Sequence, residues 1–201
     1  MNGVVLISGS GSNLQSIINH STAIDLDIKA IISNHNNAYG LKRAERANIP
    51  THILSHKQFS SREEFDQALS SIINQYNPEI VILAGFMRIL SAKFTRQYSG
   101  KMLNIHPSLL PKFQGLNTHQ RVIEAKESQH GVSIHFVTEQ LDGGPIIAQA
   151  SVEVIDTDTT ESLAKRVLLE EHKLFLKVIH WFTQGRLKLE KNHAMLDGKI
   201  L

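Results

Sequence analysis

The chain has 201 residues with 21 Lys and Arg against 19 Asp and Glu, a formal charge of +2, and no cysteine. A chain of this length buries about 70% of its unfolded surface and needs no covalent staples, and the missing cysteines exclude disulfides, thiolate nucleophiles and thiolate metal sites. The charge balance, with 41% hydrophobic and 20% charged residues, is that of an ordinary globular protein and gives no compositional ground for binding nucleic acid or a membrane. The apolar run Val4 to Ile7 is too short for a signal or a span, so the expected location is cytoplasmic.

Short runs rich in β-branched residues and leucine predict strands at Val4 to Ser8, Ile28 to Ser33, His52 to Leu54, Ile80 to Ala84 and Met102 to Ile105. Helical spacing predicts helices at Asn13 to His20, Tyr39 to Ala47, Arg62 to Tyr76 and Ser91 to Tyr98, the third preceded by Ser60 and Ser61 with Glu63 and Glu64 placed for a capping box. This alternation predicts an α/β, Rossmann-like fold: a mostly parallel sheet with helices on both faces and right-handed crossovers. Gly131 to Val137 and Pro145 to Val154 read as two strands joined by a loop containing Leu141-Asp142-Gly143-Gly144, which predicts an antiparallel C-terminal addition. A long helix is expected over Leu163 to Phe182, with Asp158-x-x-Glu161 as its capping box and Gly185 as its stop. No repeat, low-complexity stretch or linker divides the chain, so residues 1–201 are expected to form a single domain.

Five segments carry chemistry. Ser8-Gly9-Ser10-Gly11-Ser12-Asn13 follows the first strand and offers free N–H groups to an anion. A dinucleotide site is disfavoured, because Leu14 stands where the fingerprint needs glycine and Asn34 where it needs an acid. Two readings stay open there: a monophosphate site, or a small-residue turn with Asn13 as N-cap. Ala84 to Leu90 joins large apolar side chains to Arg88, which suits a flat ligand with an acidic tail or a loop packed onto the core. Asn104 and His106 lie two residues apart at a strand end closed by Pro107, so both point to one side where open α/β sheets place their sites. Asp142 sits in a glycine-rich turn; near His106 it would favour the protonated ring, and His135 would line the same region or be a buried structural histidine. Glu171 falls on the apolar stripe of the last helix and needs a partner there, either a core cation or a ligand amine or ribose hydroxyl. The eleven histidines show no metal-ligand spacing, and no metal is expected.

In order along the chain, VVLISGSGSNLQSII, ILAGFMRILS, NIHPSLLPKFQGLNTH, GVSIHFVTEQLDGGPIIAQ, LEEHKLF and WFTQGRLKL resemble the folate-dependent glycinamide ribonucleotide formyltransferase family over nearly the whole length. The resemblance implies formyl transfer from 10-formyltetrahydrofolate, as co-substrate, to the amine of glycinamide ribonucleotide in purine biosynthesis. It implies a catalytic trio of Asn104, His106 and Asp142, and ribonucleotide contacts from Gly11, Ser12, Asn13 and Glu171. The folate would be bound by Arg62, Met87, Arg88, Ile89, Leu90 and Asn104, with Glu139, Gln140, Leu141 and Asp142 on the pterin side. The N-terminal half would hold phosphate and the C-terminal half would bind folate and carry the catalysis. The partners implied are small molecules, with no nucleic acid and no membrane, and a monomer or weak homodimer. Asn117 stands where some bacterial relatives carry histidine, which leaves the part played by His119 open. The competing readings are hydrolysis of the formyl folate, formylation of an aminoacyl-tRNA or amino sugar, a non-catalytic phosphate or folate sensor, and a metal hydrolase. A tRNA enzyme would be expected to add a basic domain.

Overall fold

Strand β1 (Asn2–Ile7) is buried from Gly3 onward and β4 (Ile80–Leu83) throughout, as parallel strands covered on both faces must be. The computed structural model describes residues 1–201. Strands β2 (Asp27–Ser33), β3 (Thr51–Ile53), β5 (Met102–His106), β6 (Gln129–Phe136) and β7 (Ile146–Glu153) complete a seven-stranded sheet of order β3-β2-β1-β4-β5-β6-β7. The pairs β1/β2, β1/β4, β2/β3 and β4/β5 are parallel, whereas β5/β6 and β6/β7 are antiparallel. The expected antiparallel addition is therefore present. Because β2 and β4 flank β1 on opposite sides, the chain reverses direction across the sheet there, and a crevice opens at the carboxyl ends of β1 and β4.

Period-two alternation divides the strands between two cores. Val5 and Ile7 join Leu14, Leu103, Phe136 and Phe175 on one face, under helices α1 (Ser12–His20), α2 (Tyr39–Arg46), α5 (Thr118–Glu124) and α6 (Thr160–Thr183). Val4 and Leu6 join Phe65, Leu69, Leu83 and Phe94 on the other, under α3 (Arg62–Asn74) and α4 (Ala92–Gln97). The remaining elements are a 3-10 turn, His56–Gln58, and a small antiparallel sheet of β8 (Leu187–Glu190), β9 (His193–Leu196) and β10 (Lys199–Ile200).

Local details depart from the expectations. The short α5 and the small sheet were not predicted. Both hairpin turns of that sheet, Lys191-Asn192 and Asp197-Gly198, have positive φ at each residue, and the Asp-Gly pair is a recognisable hairpin signal. The N-cap of α1 is Gly11 rather than Asn13. In α3, Ser61 accepts from the Glu64 N–H as predicted, but the Glu64 carboxylate turns back to the N–H and hydroxyl of Ser60. The capping box of α6 is formed by Thr159 and Ser162, one residue beyond the expected Asp158 and Glu161. Asp158 instead accepts from the Ile155 N–H at 3.0 Å and pairs with Arg166, so its carboxylate is already engaged. Thr159→Ala should therefore lower the stability by about 1 kcal/mol while Thr159→Ser retains it, as read from urea unfolding midpoints.

Candidate functional site

After β1 the chain needs a tight turn to enter α1, and Gly11 supplies it with φ +70. A Cβ on Gly11 would lie 2.6 Å from the Cα of Gly40, so α2 packs against the turn only because both positions lack side chains. The Arg43 Nε donates to the Ser10 carbonyl at 2.9 Å and braces the loop. No side chain caps α1, which leaves its first-turn N–H groups directed at whatever occupies the turn. Asn13 Nδ2 donates to Glu171 Oε2 at 2.6 Å, and Ser12 Oγ lies 2.9 Å from His172 Nε2. Burial pushes the Glu171 carboxyl above the usual carboxylate range, and the hydrogen bond from Asn13 works against that rise. Gly11, Ser12, Asn13 and Glu171 are thus brought together across the α1/α6 contact, giving amide donors for an anion beside a carboxylate for hydroxyl or amine groups. His172 belongs to the same cluster and was missed; its only sequence signal is its place next to Glu171.

The second cluster lies at the end of β5. His106 is 5% exposed, and its two ring nitrogens face oxygen atoms: Nε2 is 2.9 Å from the Phe113 carbonyl, and Nδ1 is 3.4 Å from Asp142 Oδ2. Asp142, with φ +47 in its turn, also accepts the Gly115 N–H at 2.9 Å, and its backbone carbonyl accepts from Gln114 Nε2. Asn104 Nδ2 lies 3.0 Å from His135 Nε2 and 3.5 Å from Asp142 Oδ1. The other nitrogen of His135 is 2.9 Å from the Phe136 carbonyl, which can only accept, so Nδ1 carries the hydrogen and Nε2 accepts from Asn104. Burial lowers the His135 pKa, and the neutral ring fits this arrangement. Its role is to orient Asn104.

Between these residues and the loop after β4 is a pocket of about 80 Å³. Leu83, Phe86 and Leu90 give it apolar walls, and Asn104, His135 and Asp142 give it a polar one. Arg88, Ile89, Glu139, Gln140 and Leu141 also line it. Two expected residues do not: Met87 is 59% exposed, and Arg62 is exposed at the start of α3. The Met87 N–H instead donates to Ser8 Oγ at 2.7 Å, while Ser8 Oγ donates to Asn34 Oδ1 at 2.6 Å. Ser8 and Asn34, a pair with no local signal to select it, tie the glycine-rich turn to the pocket loop. A larger cleft of about 780 Å³ lies against α4 and the small sheet and contains none of the trio. No three His, Asp or Glu side chains are grouped to hold a metal ion.

Near His106, His119 Nδ1 lies 2.9 Å from His130 Nε2. His130 is 1% exposed, its Nδ1 has no partner, and burial, followed by the charges of His119 and His106, lowers its pKa to about 4. The unfolded chain takes up this proton near pH 6.5 and the folded chain resists it to about 4, so stability is lost as pH falls through that window. Unfolding free energy should drop by roughly 2 kcal/mol between about pH 7 and pH 5 from this group, and His130→Gln should reduce the drop in denaturant titrations.

Residues 1–179 match the family model described as formyl transferase. The chain is 50% identical over 203 aligned residues to the phosphoribosylglycinamide formyltransferase of Escherichia coli (strain K12), covering 100% of this chain and 96% of that protein. The corresponding enzyme of Haemophilus influenzae is 48% identical, with 98% of this chain and 94% of that protein covered. Among solved structures, phosphoribosylglycinamide formyltransferase from Coxiella burnetii superposes with a TM-score of 0.96 at 50% identity, covering 100% of this chain and 95% of that one. With its fold, its full length and half its residues shared in this way, the chain belongs to the formyl transferase family and, within it, to the phosphoribosylglycinamide formyltransferases.

Proposed function

We propose that the protein transfers the formyl group of 10-formyltetrahydrofolate to the amine of glycinamide ribonucleotide, as a step of purine biosynthesis, by direct attack and without a covalent enzyme intermediate. The observation that carries this reading is the Asp142 carboxylate, which lies within 3.5 Å of both Asn104 and His106 beside a small, partly apolar pocket. The amine nitrogen attacks the formyl carbon, and the carbonyl electron pair moves onto oxygen. Asn104 and protonated His106 donate to that oxyanion, each worth about 3 to 4 kcal/mol of barrier. Collapse of the tetrahedral intermediate re-forms the carbonyl and breaks the bond to N10 of the folate. The proton lost by the amine passes through Asp142 and water to the departing nitrogen.

The hydrogen bonding supports these roles. An imidazole with an oxygen acceptor at each nitrogen is satisfied at both only when it carries two hydrogens, which is the charged form. The Phe113 carbonyl must give way for Nε2–H to reach the oxyanion. Asn104 gives one hydrogen to His135, and its second, at 3.5 Å from Asp142, is at the limit of a bond and free for a closer acceptor. The ribonucleotide phosphate would take the Gly11 to Asn13 turn, with Glu171 on the ribose or amine end. Leu90, Ile89, Arg88 and the loop Glu139 to Asp142 would bind the pterin, while Arg62 and Met87 would meet only the outer part of the folate. We further propose that residues 1–201 act as one formyltransferase domain in the cytoplasm, as a monomer or weak homodimer, without metal and on small molecules alone. No helix is long and apolar enough to cross a membrane.

Mixing the protein with both substrates should release deformylated folate, and omission of the ribonucleotide should stop that release; release without it would make the protein a hydrolase. Asp142→Asn should lower kcat by about 10²-fold or more and leave the ribonucleotide KM within about twofold, because the lost contact acts on the transition state. Equal losses in both would mark Asp142 as structural. Glu171→Gln should do the opposite, raising the ribonucleotide KM by about tenfold with kcat little changed in the same assay.

A further inference from the structure

We propose that Gln149, on the edge strand β7, acts through Ser133 as a positioning residue for His106: together they anchor the loop that sets the Phe113 carbonyl against the His106 ring. This rests on the formyl transfer reading above and extends its machinery to a strand that carries none of the trio. Across β5, β6 and β7 the positions His106, Ser133 and Gln149 oppose one another in register, so their side chains share one face of the sheet. The neighbouring row pairs Asn104 with His135, which orients it. Ser133 instead holds the chain that leaves His106. It is fully buried, and its hydroxyl donates to the Ser108 carbonyl at 2.6 Å while accepting from the Leu110 N–H at 3.0 Å and from Gln149 Nε2 at 2.7 Å. Gln149 Nε2 also donates to the Leu110 carbonyl at 2.9 Å.

These contacts allow one arrangement. A hydroxyl has one hydrogen and two lone pairs, and two of its three partners here are donors, so the hydrogen must point to Ser108. Both hydrogens of the Gln149 amide are used, and turning the amide over would set its oxygen against the Leu110 carbonyl. From this anchor the loop runs to the site: Ser108 Oγ donates to the Lys112 carbonyl at 2.7 Å, and the next residue, Phe113, carries the carbonyl that lies 2.9 Å from His106 Nε2. Phe113 has φ +56, which a bulky side chain disfavours, so its conformation is imposed from outside the residue. Arg121 holds the far side, with Nη1 on the Gln114 carbonyl at 2.6 Å and its guanidinium over the Phe113 ring at 5.4 Å. Without the Phe113 carbonyl, only the Asp142 contact at 3.4 Å would direct the imidazole. The anchored stretch ends at Lys112, one residue short of the carbonyl that must give way during the reaction.

The test is steady-state kinetics together with NMR of the histidine ring N–H groups, on the wild type, Gln149→Glu and Gln149→Lys. Gln149 is exposed on the edge strand, so these substitutions leave the core untouched. Glutamate keeps the size and loses the donor; it should lower kcat by about tenfold with both KM values within about twofold, because a misdirected ring weakens the transition state more than the bound substrates. Lysine brings donors of similar reach and should hold kcat within about threefold of the wild type. The Nε2–H signal of His106, identified by its absence from His106→Asn, should be present in the wild type and the lysine variant and lost to solvent exchange in the glutamate variant; a role confined to stability would leave it in place. Should Gln149→Glu fail to fold, Gln149→Leu, which removes the donor without adding charge, carries the test on the same terms. An unchanged kcat, KM values that rise as much as kcat falls, a His106 signal missing from the wild type or intact without the donor, or a lysine variant as slow as the glutamate one would each overturn the positioning role. A wild type that transfers no formyl group would overturn the formyl transfer reading instead, and the His106 signal would then decide the positioning separately.

Discussion

One carboxylate joins segments that lie far apart in the chain. Asp142 meets the end of β5 through Asn104 and His106, and meets the following loop through the Gly115 N–H. Its side chain is only 10% exposed, and a charge at that depth is tolerated only where hydrogen bonds and an opposite charge replace water. The positive φ of Asp142 turns the side chain inward at a position where the chain must also reverse toward β7. Strain, burial and charge at this residue therefore depend on one another, and the geometry of the proposed oxyanion site depends on all of them.

The sheet decides where the substrates would meet. The glycine-rich turn follows β1, the pocket loop follows β4 and the trio begins on β5, and these are adjacent strands running the same way. Ser8 joins the first two loops directly, with its N–H on the Gly85 carbonyl at 3.0 Å and its hydroxyl between Asn34 and Met87. The proposed phosphate site and the proposed folate pocket, on neighbouring strand ends, thus share one hydroxyl group. The close contact of Gly11 with Gly40 fixes the other side of the turn, so the loop is held from both directions.

Much of this was legible before the structure. The five parallel strands, the antiparallel extension and the position of His106 beside Pro107 follow from β-branched runs, period-two alternation and the geometry of proline. The grouping of Asp142 with His106 was legible through the turn chemistry and the family resemblance together. What escaped is mostly non-local. Ser8 and Asn34 are 26 residues apart, Ser12 and His172 are 160 apart, and neither pair leaves a periodic trace. The role of His135 depends on which nitrogen faces Phe136, which spacing does not encode. Helix α5 was missed because its polar segment buries only Thr118 and Val122, too narrow a stripe to show helical spacing. Asp197-Gly198 was a local signal and could have been read. Arg62 and Met87, named by resemblance, are exposed outside this pocket, and the backbone of Met87 ties the loop beside it to Ser8.

The contact between His106 and the Phe113 carbonyl has a thermodynamic consequence. A main-chain oxygen occupies the very hydrogen that the proposed reaction needs, so that N–H keeps an acceptor at a buried position. When a reacting carbonyl arrives, one oxygen replaces another on the same N–H, and the number of hydrogen bonds is conserved through the exchange. In the proposed reaction the segment around Phe113 is a placeholder, and what distinguishes the incoming oxygen is the full negative charge it would acquire, to which a neutral amide carbonyl has no answer.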